Sequence, residues 1–409
     1  MRSFPEEFRK IRLIGVDLDE TLLTSRKTIS DAVMGAIKEA EAAGIRIVPV
    51  TGRPLAGVPA ELFAPGLCRY AITSAGAVLT DFGGERGGDV RRDAGGECCG
   101  DVRKDAGREC CGDPDVLSGV GAVMDAGCAG SAPETAGNPQ GGAAPSFRGI
   151  GSYMRAGTGP AAVPDTFGVP DMPGCPGTTL SYEGLDPDTA LSVYNAAPEL
   201  QIVREIMIDG YAYMEPELYD LLISRYYNTV FRSYIESTRI PVPDLFGFVR
   251  EAAGRECGEN ASSGNTSSRN TSSRNAIGGT AGYIARVRRG TVENIGFLTA
   301  SPEELQTLKA ALARIPGIRA TGYSATSLDV GAPGTDKGRA LLALGARLGI
   351  GREEICAIGD SENDMPMLEA AQFAVAMGNA SPRVRSAASY ITATCDEDGV
   401  ALVIRAVIG

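Results

Sequence analysis

Ile11, Leu13, Ile14 and Val16 make a short apolar run that predicts a buried strand. Two carboxylates, Asp17 and Asp19, follow where that strand ends, which is where open α/β sheets keep their ligands. Ser30 is placed to cap a helix carrying Val33, Ile37 and Ala40 on one face and stopping at Gly44. Ile45 to Val50 predicts a second strand ending on Thr51-Gly52-Arg53-Pro54, with a helix starting at Pro54. Tyr70 to Thr73 and Ala77 to Thr80 predict a third strand and a hairpin arm joined around Ser74-Ala75-Gly76.

The pattern changes at Gly83. Residues 88–99 (GDVRRDAGGECC) and 100–111 (GDVRKDAGRECC) form a tandem 12-residue repeat with ten identical positions, followed by Gly-, Ala- and Pro-rich sequence to about Gly177. Two copies are too few to stack as a solenoid and carry little apolar surface, so a disordered or loosely ordered insertion is expected. Patterning resumes at Leu180: Ala190 to Ala196 reads as helix, Ile202 to Ile208 and Tyr211 to Met214 as strands around Asp209-Gly210, and Leu218 to Ile223 as either. Asn260 to Asn275 is a decaying pentad (NASSG, NTSSR, NTSSR) that reads as a flexible polar loop. From Tyr283 a strand is expected, then a helix capped by Ser301 with Pro302 first and Leu305, Leu308, Ala311 and Leu312 on one face. Beyond Gly331 the α/β alternation returns: helix Lys337 to Leu348, strand Ile355 to Ile358, helix around Asp364 to Ala370, strand Phe373 to Ala376. The expected organisation is a split α/β core, 1–82 and 326–409, around an inserted domain, 83–325, itself carrying flexible insertions at 83–177 and 251–280.

Composition narrows the chemistry. A chain of 409 residues that is 43% hydrophobic exceeds one ordinary core, consistent with two domains. Its net charge of −12 argues against nucleic acid as a partner. Met1 to Lys10 has no apolar core of signal-peptide length, and no window approaches the roughly 18 apolar residues of a membrane helix, so a soluble, cytoplasmic protein with no membrane partner is expected. Ten cysteines without such a signal suggest reduced thiols. The adjacent pairs Cys98-Cys99 and Cys110-Cys111 lack the Cys-x-x-Cys spacing that suits a tetrahedral zinc site. Histidine is absent, which removes Ser-His and Cys-His nucleophile pairs and His-ligated zinc. Catalysis would have to run on carboxylates, Lys and a hard metal.

In an extended segment Asp17 and Asp19 point to the same side, roughly 6 to 7 Å apart. Such a pair can share a divalent cation or divide the work of nucleophile and proton carrier; it can also be only an acidic turn. Thr51-Gly52 at a strand end offers a hydroxyl and backbone N–H groups suited to an oxyanion, or simply a capped loop. Lys337, in Gly334-Thr335-Asp336-Lys337-Gly338, starts a helix, where an ammonium group is poorly matched to the dipole unless it serves an anion. Gly359-Asp360-Ser361-Glu362-Asn363-Asp364 gathers acids and amides at a strand-to-helix turn, as a bound Mg²⁺ would require.

VDLDETLL at 16, TGRP at 51, GTDKG at 334 and IGDSENDMPML at 358, in that order, resemble the haloacid dehalogenase superfamily. The resemblance is greatest to its Cof-type phosphatases, whose large α/β cap is inserted between the second and third motifs (type IIB). It implies a Rossmann-like parallel-sheet core with an inserted α+β cap. It would make Asp17 the nucleophile and Asp19 the general acid/base, with Thr51, Gly52, Lys337 and Asn363 around the phosphoryl group. Mg²⁺ would be held by Asp17, the backbone carbonyl of Asp19 and Asp360, with Asp364 in support. The implied function is a Mg²⁺-dependent phosphomonoesterase that acts on small phosphorylated metabolites such as sugar phosphates through an aspartyl-phosphate. A phosphotransferase or phosphomutase, or a non-catalytic phosphometabolite-binding protein, remains the alternative, and oligomeric state is open. Three departures stand out: Ser74-Ala75-Gly76 where Ser-Asn-Gly is common, Asp329 where Glu is usual, and the Gly- and Cys-rich insertion after Asp81.

Overall fold

The computed structural model describes residues 6–83, 177–200, 202–226, 231–253 and 291–409, all within one compact unit, Met1–Arg91 with Asp165–Gly409. The tandem repeat, the paired cysteines, the Asn260 to Asn275 run, the start of the strand expected from Tyr283 and nearly all of both expected insertions lie outside the described residues.

The N-terminal segment builds β1 (Leu13–Val16), α1 (Asp31–Ala42), β2 (Arg46–Pro49), β3 (Tyr70–Thr73) and β4 (Val78–Asp81). The Ser30 hydroxyl caps α1 by accepting from Val33 N–H at 3.1 Å. The helix expected from Pro54 does not form. Two short 3₁₀ turns, Leu55–Gly57 and Ala60–Phe63, replace it, because Pro59 two residues after Gly57 cannot continue a helix.

The middle segment contributes β5 (Thr178–Tyr182), α2 (Pro187–Tyr194), β6 (Val203–Ile208), β7 (Tyr211–Met214), α3 (Pro216–Arg225), α4 (Phe231–Thr238), β8 (Arg239–Pro241), α5 (Leu245–Ala253) and β9 (Asn294–Leu298). After these come α6 (Pro302–Leu312), β10 (Arg319–Ser324) and β11 (Ser327–Gly331). Leu218 to Ile223 resolves as helix, with Pro216 at the first helical position. The C-terminal segment adds α7 (Lys337–Leu348), β12 (Ile355–Gly359), α8 (Met365–Ala370), β13 (Phe373–Ala376), α9 (Pro382–Ala387), β14 (Tyr390–Ile391) and α10 (Gly399–Ile408).

Five parallel strands in the order β14-β13-β12-β1-β2 form the core sheet. Its central strands β1 and β12 are buried along their whole length, as expected for strands covered on both faces. The chain leaves β1 towards β2 on one side and returns through β12 on the other, so the carboxyl ends of β1 and β12 flank a topological switch point.

The second large sheet, β10-β11-β9-β6-β7-β8, is antiparallel except for the β7 and β8 pair. Strand alternation sorts its side chains. Ile206 and Ile208 of β6 and Leu328 and Val330 of β11 join a core that includes Leu191, Phe248 and Leu308 from α2, α5 and α6. Val203, Glu205, Met207, Ser327 and Asp329 face a cavity instead. On that side α3 and α4 pack through a smaller apolar cluster of Val203, Met214, Tyr219, Leu222 and Ile235. The expected boundary between 325 and 326 falls at the β10–β11 turn, and β11 pairs inside this second sheet. A third sheet, β3-β4-β5, joins the end of the N-terminal segment to the start of the middle one. Among the described residues no helix is long and apolar enough to cross a membrane.

Candidate active site

Asp17 is the first residue beyond β1, and its N–H is held by Ile358 O of β12 at 3.0 Å. The chain then turns rather than extending: Leu22 N–H reaches back to Asp17 O and Leu23 N–H to Leu18 O, with Glu20 at φ 57°. Asp17 and Asp19 still line one cavity, but through this wide turn and not along one extended strand. Each is gripped by different cations. The turn also delivers Thr21, whose hydroxyl donates to Asp360 Oδ1 at 2.9 Å.

Lys337 opens α7, whose N-cap Asp336 accepts from Arg339 N–H at 2.7 Å. The ammonium is 1% exposed and donates to Asp17 Oδ1 at 2.6 Å and to Asp364 Oδ1 at 2.7 Å. Burial opposes this charge, but Asp17 and then Asp364 more than offset it and hold the pKa above that of an ordinary lysine. The unfavourable helix-start position is thus answered by two buried carboxylates. Gly338 permits the approach: a Cβ there would lie 2.1 Å from Pro366 O in the first turn of α8, just after Asp364.

Asp364 also folds its own loop, its Oδ2 accepting from the N–H groups of Asp360 and Ser361 at 3.0 Å each. Carboxylate oxygens of Asp17, Asp360 and Asp364 all lie within 4.8 Å of one another, with one lysine among them. Burial first, then the charge of Asp364, pushes the Asp17 carboxyl well above the usual range. The same two causes push Asp360 up to about 7. Crowded hard oxygen donors whose negative charges repel one another are what a small divalent cation relieves. The donor set fits Mg²⁺.

Asp19 sits outside this cluster. Arg53 holds it in a fork, Nε to Oδ2 at 2.7 Å and Nη2 to Oδ1 at 2.6 Å, and Lys27 Nζ stands 3.2 Å away. Burial would raise its pKa, but the hydrogen bonds and charge of Arg53, with Lys27, bring it below the usual carboxylate range. Thr51, buried at the end of β2, accepts from Arg53 N–H at 3.1 Å and keeps its own O–H to donate. A Cβ on Gly52 would lie 3.1 Å from Asp329 Oδ2 and 3.9 Å from Asn363 Nδ2, so glycine keeps this loop open between two polar groups. Asn363 Oδ1 accepts from the Ser361 hydroxyl at 2.6 Å. Asp17, Asp19, Thr51, Gly52, Asp360 and Asn363 therefore meet in one cavity of about 370 Å³, against which Lys337 and Asp364 stand as buried supports.

Sequence reasoning left Arg53, Lys27 and Thr21 without roles. Arg53 had a signal, an arginine directly after Thr51-Gly52 at a strand end; Lys27 had none, because only the turn after β1 brings it to Asp19. Glu205 and Arg239 on the facing sheet were likewise missed, although they form a two-bonded pair at 2.8 and 3.0 Å.

The family described as haloacid dehalogenase-like hydrolase matches residues 14–86 and 177–404. A phosphoglycolate phosphatase of Methanothermobacter thermautotrophicus is 42% identical over 89 residues, 22% of this chain and 39% of that protein. The 5-amino-6-(5-phospho-D-ribitylamino)uracil phosphatase YcsE of Bacillus subtilis is 46% identical over 85 residues, 21% of this chain and 34% of its own. The chain thus spans less than two fifths of the length of either relative. A solved haloacid dehalogenase-like hydrolase from B. subtilis superposes with a TM-score of 0.56 at 20% identity, covering 97% of this chain and 99% of that one. The subclass IIB sugar phosphatase BT4131 does so with 0.53 at 16%, covering 96% and 98%. These structures share the fold. With its four motif loops gathered at the switch point of a parallel sheet and a mainly antiparallel second sheet facing them, the chain belongs to the haloacid dehalogenase-like hydrolase family, in its Cof-type branch with an inserted α/β cap.

Proposed function

We propose that the protein is a Mg²⁺-dependent phosphomonoesterase acting on a small phosphorylated metabolite. The observation that carries this reading is the division of labour between Asp17, buried against Lys337, and Asp19, held by Arg53 in the same cavity. Phosphatase names among the relatives support it. We assign the core to 1–82 and 332–409 and the cap to the segment between, because β11 pairs within the second sheet. Buried free thiols at Cys68, Cys356 and Cys395 suit a reducing, cytoplasmic setting.

The phosphoryl group seats against the Thr51 hydroxyl, the Gly52 backbone and Asn363 Nδ2, with the Lys337 ammonium serving its charge from behind Asp17. Asp17 attacks phosphorus, the bond to the leaving oxygen breaks, and Asp19 gives that oxygen a proton. A water then attacks the aspartyl-phosphate as Asp19 takes its proton, and the bond to the Asp17 oxygen breaks to release phosphate. Arg53 and Lys27 keep Asp19 ionised without substrate. An arriving phosphoryl anion acts in the opposite sense, because a neighbouring negative charge favours the protonated acid, and the proton Asp19 then gives arrives with the monoanionic phosphomonoester. Asp17, the Asp19 carbonyl and Asp360 would hold Mg²⁺, with Asp364 behind them. When bound, the ion neutralises charge on the phosphoryl oxygens and on Asp17.

The test is phosphate release from a panel of phosphomonoesters before and after exhaustive chelation. Activity should vanish on chelation and return with Mg²⁺; full activity in the chelated protein overturns the reading.

A further inference from the structure

We propose that the cap half of the cavity selects phosphomonoesters whose leaving group carries a planar aromatic ring, over sugar and open-chain polyol phosphates. The inference rests on the phosphatase reading and adds the substrate class. Asp19 fixes where the leaving group must be, since the oxygen it protonates has to lie within hydrogen-bond reach. Both cations that hold Asp19 lie over rings of α4: Arg53 is 4.2 Å from the centroid of Tyr234, and Lys27 Nζ is 4.7 Å from that of Phe231. The acid is therefore flanked by an aromatic wall. Tyr226 extends it, its ring centroid 5.7 Å from that of Phe231.

These three rings are half-buried on the small apolar cluster under α3 and α4 and line the cavity. Leu222, Ile235 and Met207 line it too. The polar side chains on the cap side are Glu205, Arg239, Ser327 and Asp329, with the Tyr226 and Tyr234 hydroxyls, and the Ser327 hydroxyl already accepts from that of Ser324 at 2.8 Å. Glu205, Gly296 and Asp329 stand in one row across β6, β9 and β11, and both oxygens of Glu205 already accept from Arg239, from its Nε and Nη2. A sugar buried here brings several hydroxyls to rings, aliphatic carbons and polar side chains of which Glu205, Arg239 and Ser327 are already paired, and each hydroxyl left without a partner weakens binding by about tenfold. A planar ring has no such demand, and stacks on aromatic faces and beside guanidinium groups.

The experiment compares kcat/KM for phosphate release, with Mg²⁺, from pyridoxal 5′-phosphate and benzyl phosphate against glucose 6-phosphate and glycerol 3-phosphate. Acetyl phosphate serves as a small ring-free reference. The expected result is a value at least about tenfold higher for a ring-bearing ester than for either polyol ester. In the double variant Tyr226→Leu, Phe231→Leu, the ratio of the ring-bearing ester to acetyl phosphate should fall about tenfold. Equal or higher values for the polyol esters in the unmodified protein overturn the proposal while leaving the phosphatase reading standing, as does a double variant that folds and keeps the ratio. If the double variant does not fold, the unmodified protein's own ratio decides. Failure to turn over any of these compounds, the acyl phosphate included, overturns the phosphatase reading and this proposal with it.

Discussion

Arg53 clasps both carboxylate oxygens of Asp19 at 2.7 and 2.6 Å while its guanidinium lies over Tyr234. A core arginine thus aims the proposed proton carrier and touches the cap at once. Lysine cannot reproduce a planar fork. Arg53→Lys should lower kcat by about 10- to 100-fold on alkyl phosphates, where the leaving oxygen needs a proton, and much less on aryl phosphates. Parallel kinetics on the two ester types check this; equal losses on both would mean that Arg53 does not act through Asp19.

Among the described residues Lys337 is the only cation in contact with Asp17 and Asp364, two carboxylates buried to 5% and 0% exposure. Breaking a buried pair by removing one partner costs about 3–5 kcal/mol. Lys337→Met should destabilise the metal-free protein by that order at pH 8 and abolish phosphate release. The stability loss should shrink at pH 5, because the orphaned Asp17 carboxyl, already pushed up by burial, can take up a proton there. Urea denaturation at the two pH values is the check, and a loss independent of pH would assign the effect to packing alone.

Much of this site was legible because its strands leave no ambiguity. Leu13 to Val16 and Ile355 to Gly359 are buried on both faces, so their apolar runs mark sheet-centre strands and the acids after them mark the sheet edge. The pairing of Asp19 with Arg53 was not legible, since it joins residues 34 apart through a turn with Glu20 at φ 57°. Nor was the contact between the Ser74 hydroxyl and Glu293, 2.6 Å across 219 residues, which fastens the core to the cap. The last helix, Gly399–Ile408, escaped for a different reason. Its sequence GVALVIRAVI is apolar on nearly every side, and a run without a polar face carries no period to read.

Asp329, where the family usually has Glu, gives a pH prediction. Burial first, then the neighbouring Glu205, pushes its carboxyl up to about 7. The folded protein therefore holds a proton that the unfolded chain, with an ordinary carboxyl, has already lost. Stability from this group is present at acid pH and declines as pH rises from about 4 to about 7. Asp329→Asn should flatten that part of the profile, making the variant more stable relative to the parent at pH 8 than at pH 5 by the order of a few kcal/mol. Melting temperatures across pH 5 to 8 test it. Parallel profiles in parent and variant would place the titration elsewhere.

Asp17 and Asp19 should separate kinetically. Asp17→Asn should be inactive on every ester, because an amide is a very poor nucleophile. Asp19 has two proton tasks, and the first matters only when the leaving oxygen needs protonation. An aryl phosphate departs readily as its anion. With Asp19→Asn, the first step should partly survive on an aryl phosphate and fail on an alkyl phosphate, while hydrolysis of the aspartyl-phosphate slows for both. The expected signature is a burst of phenol near one equivalent per enzyme, then slow turnover, with phosphate retained on the protein. Asparagine keeps the backbone carbonyl assigned to Mg²⁺, so metal binding should persist. It loses one carboxylate charge beside Arg53 and Lys27, whose contacts with Asp19 at 2.6 and 3.2 Å are the ones disturbed. Equal loss of the first step on aryl and alkyl esters, with Mg²⁺ still bound, would remove Asp19 from the role of general acid.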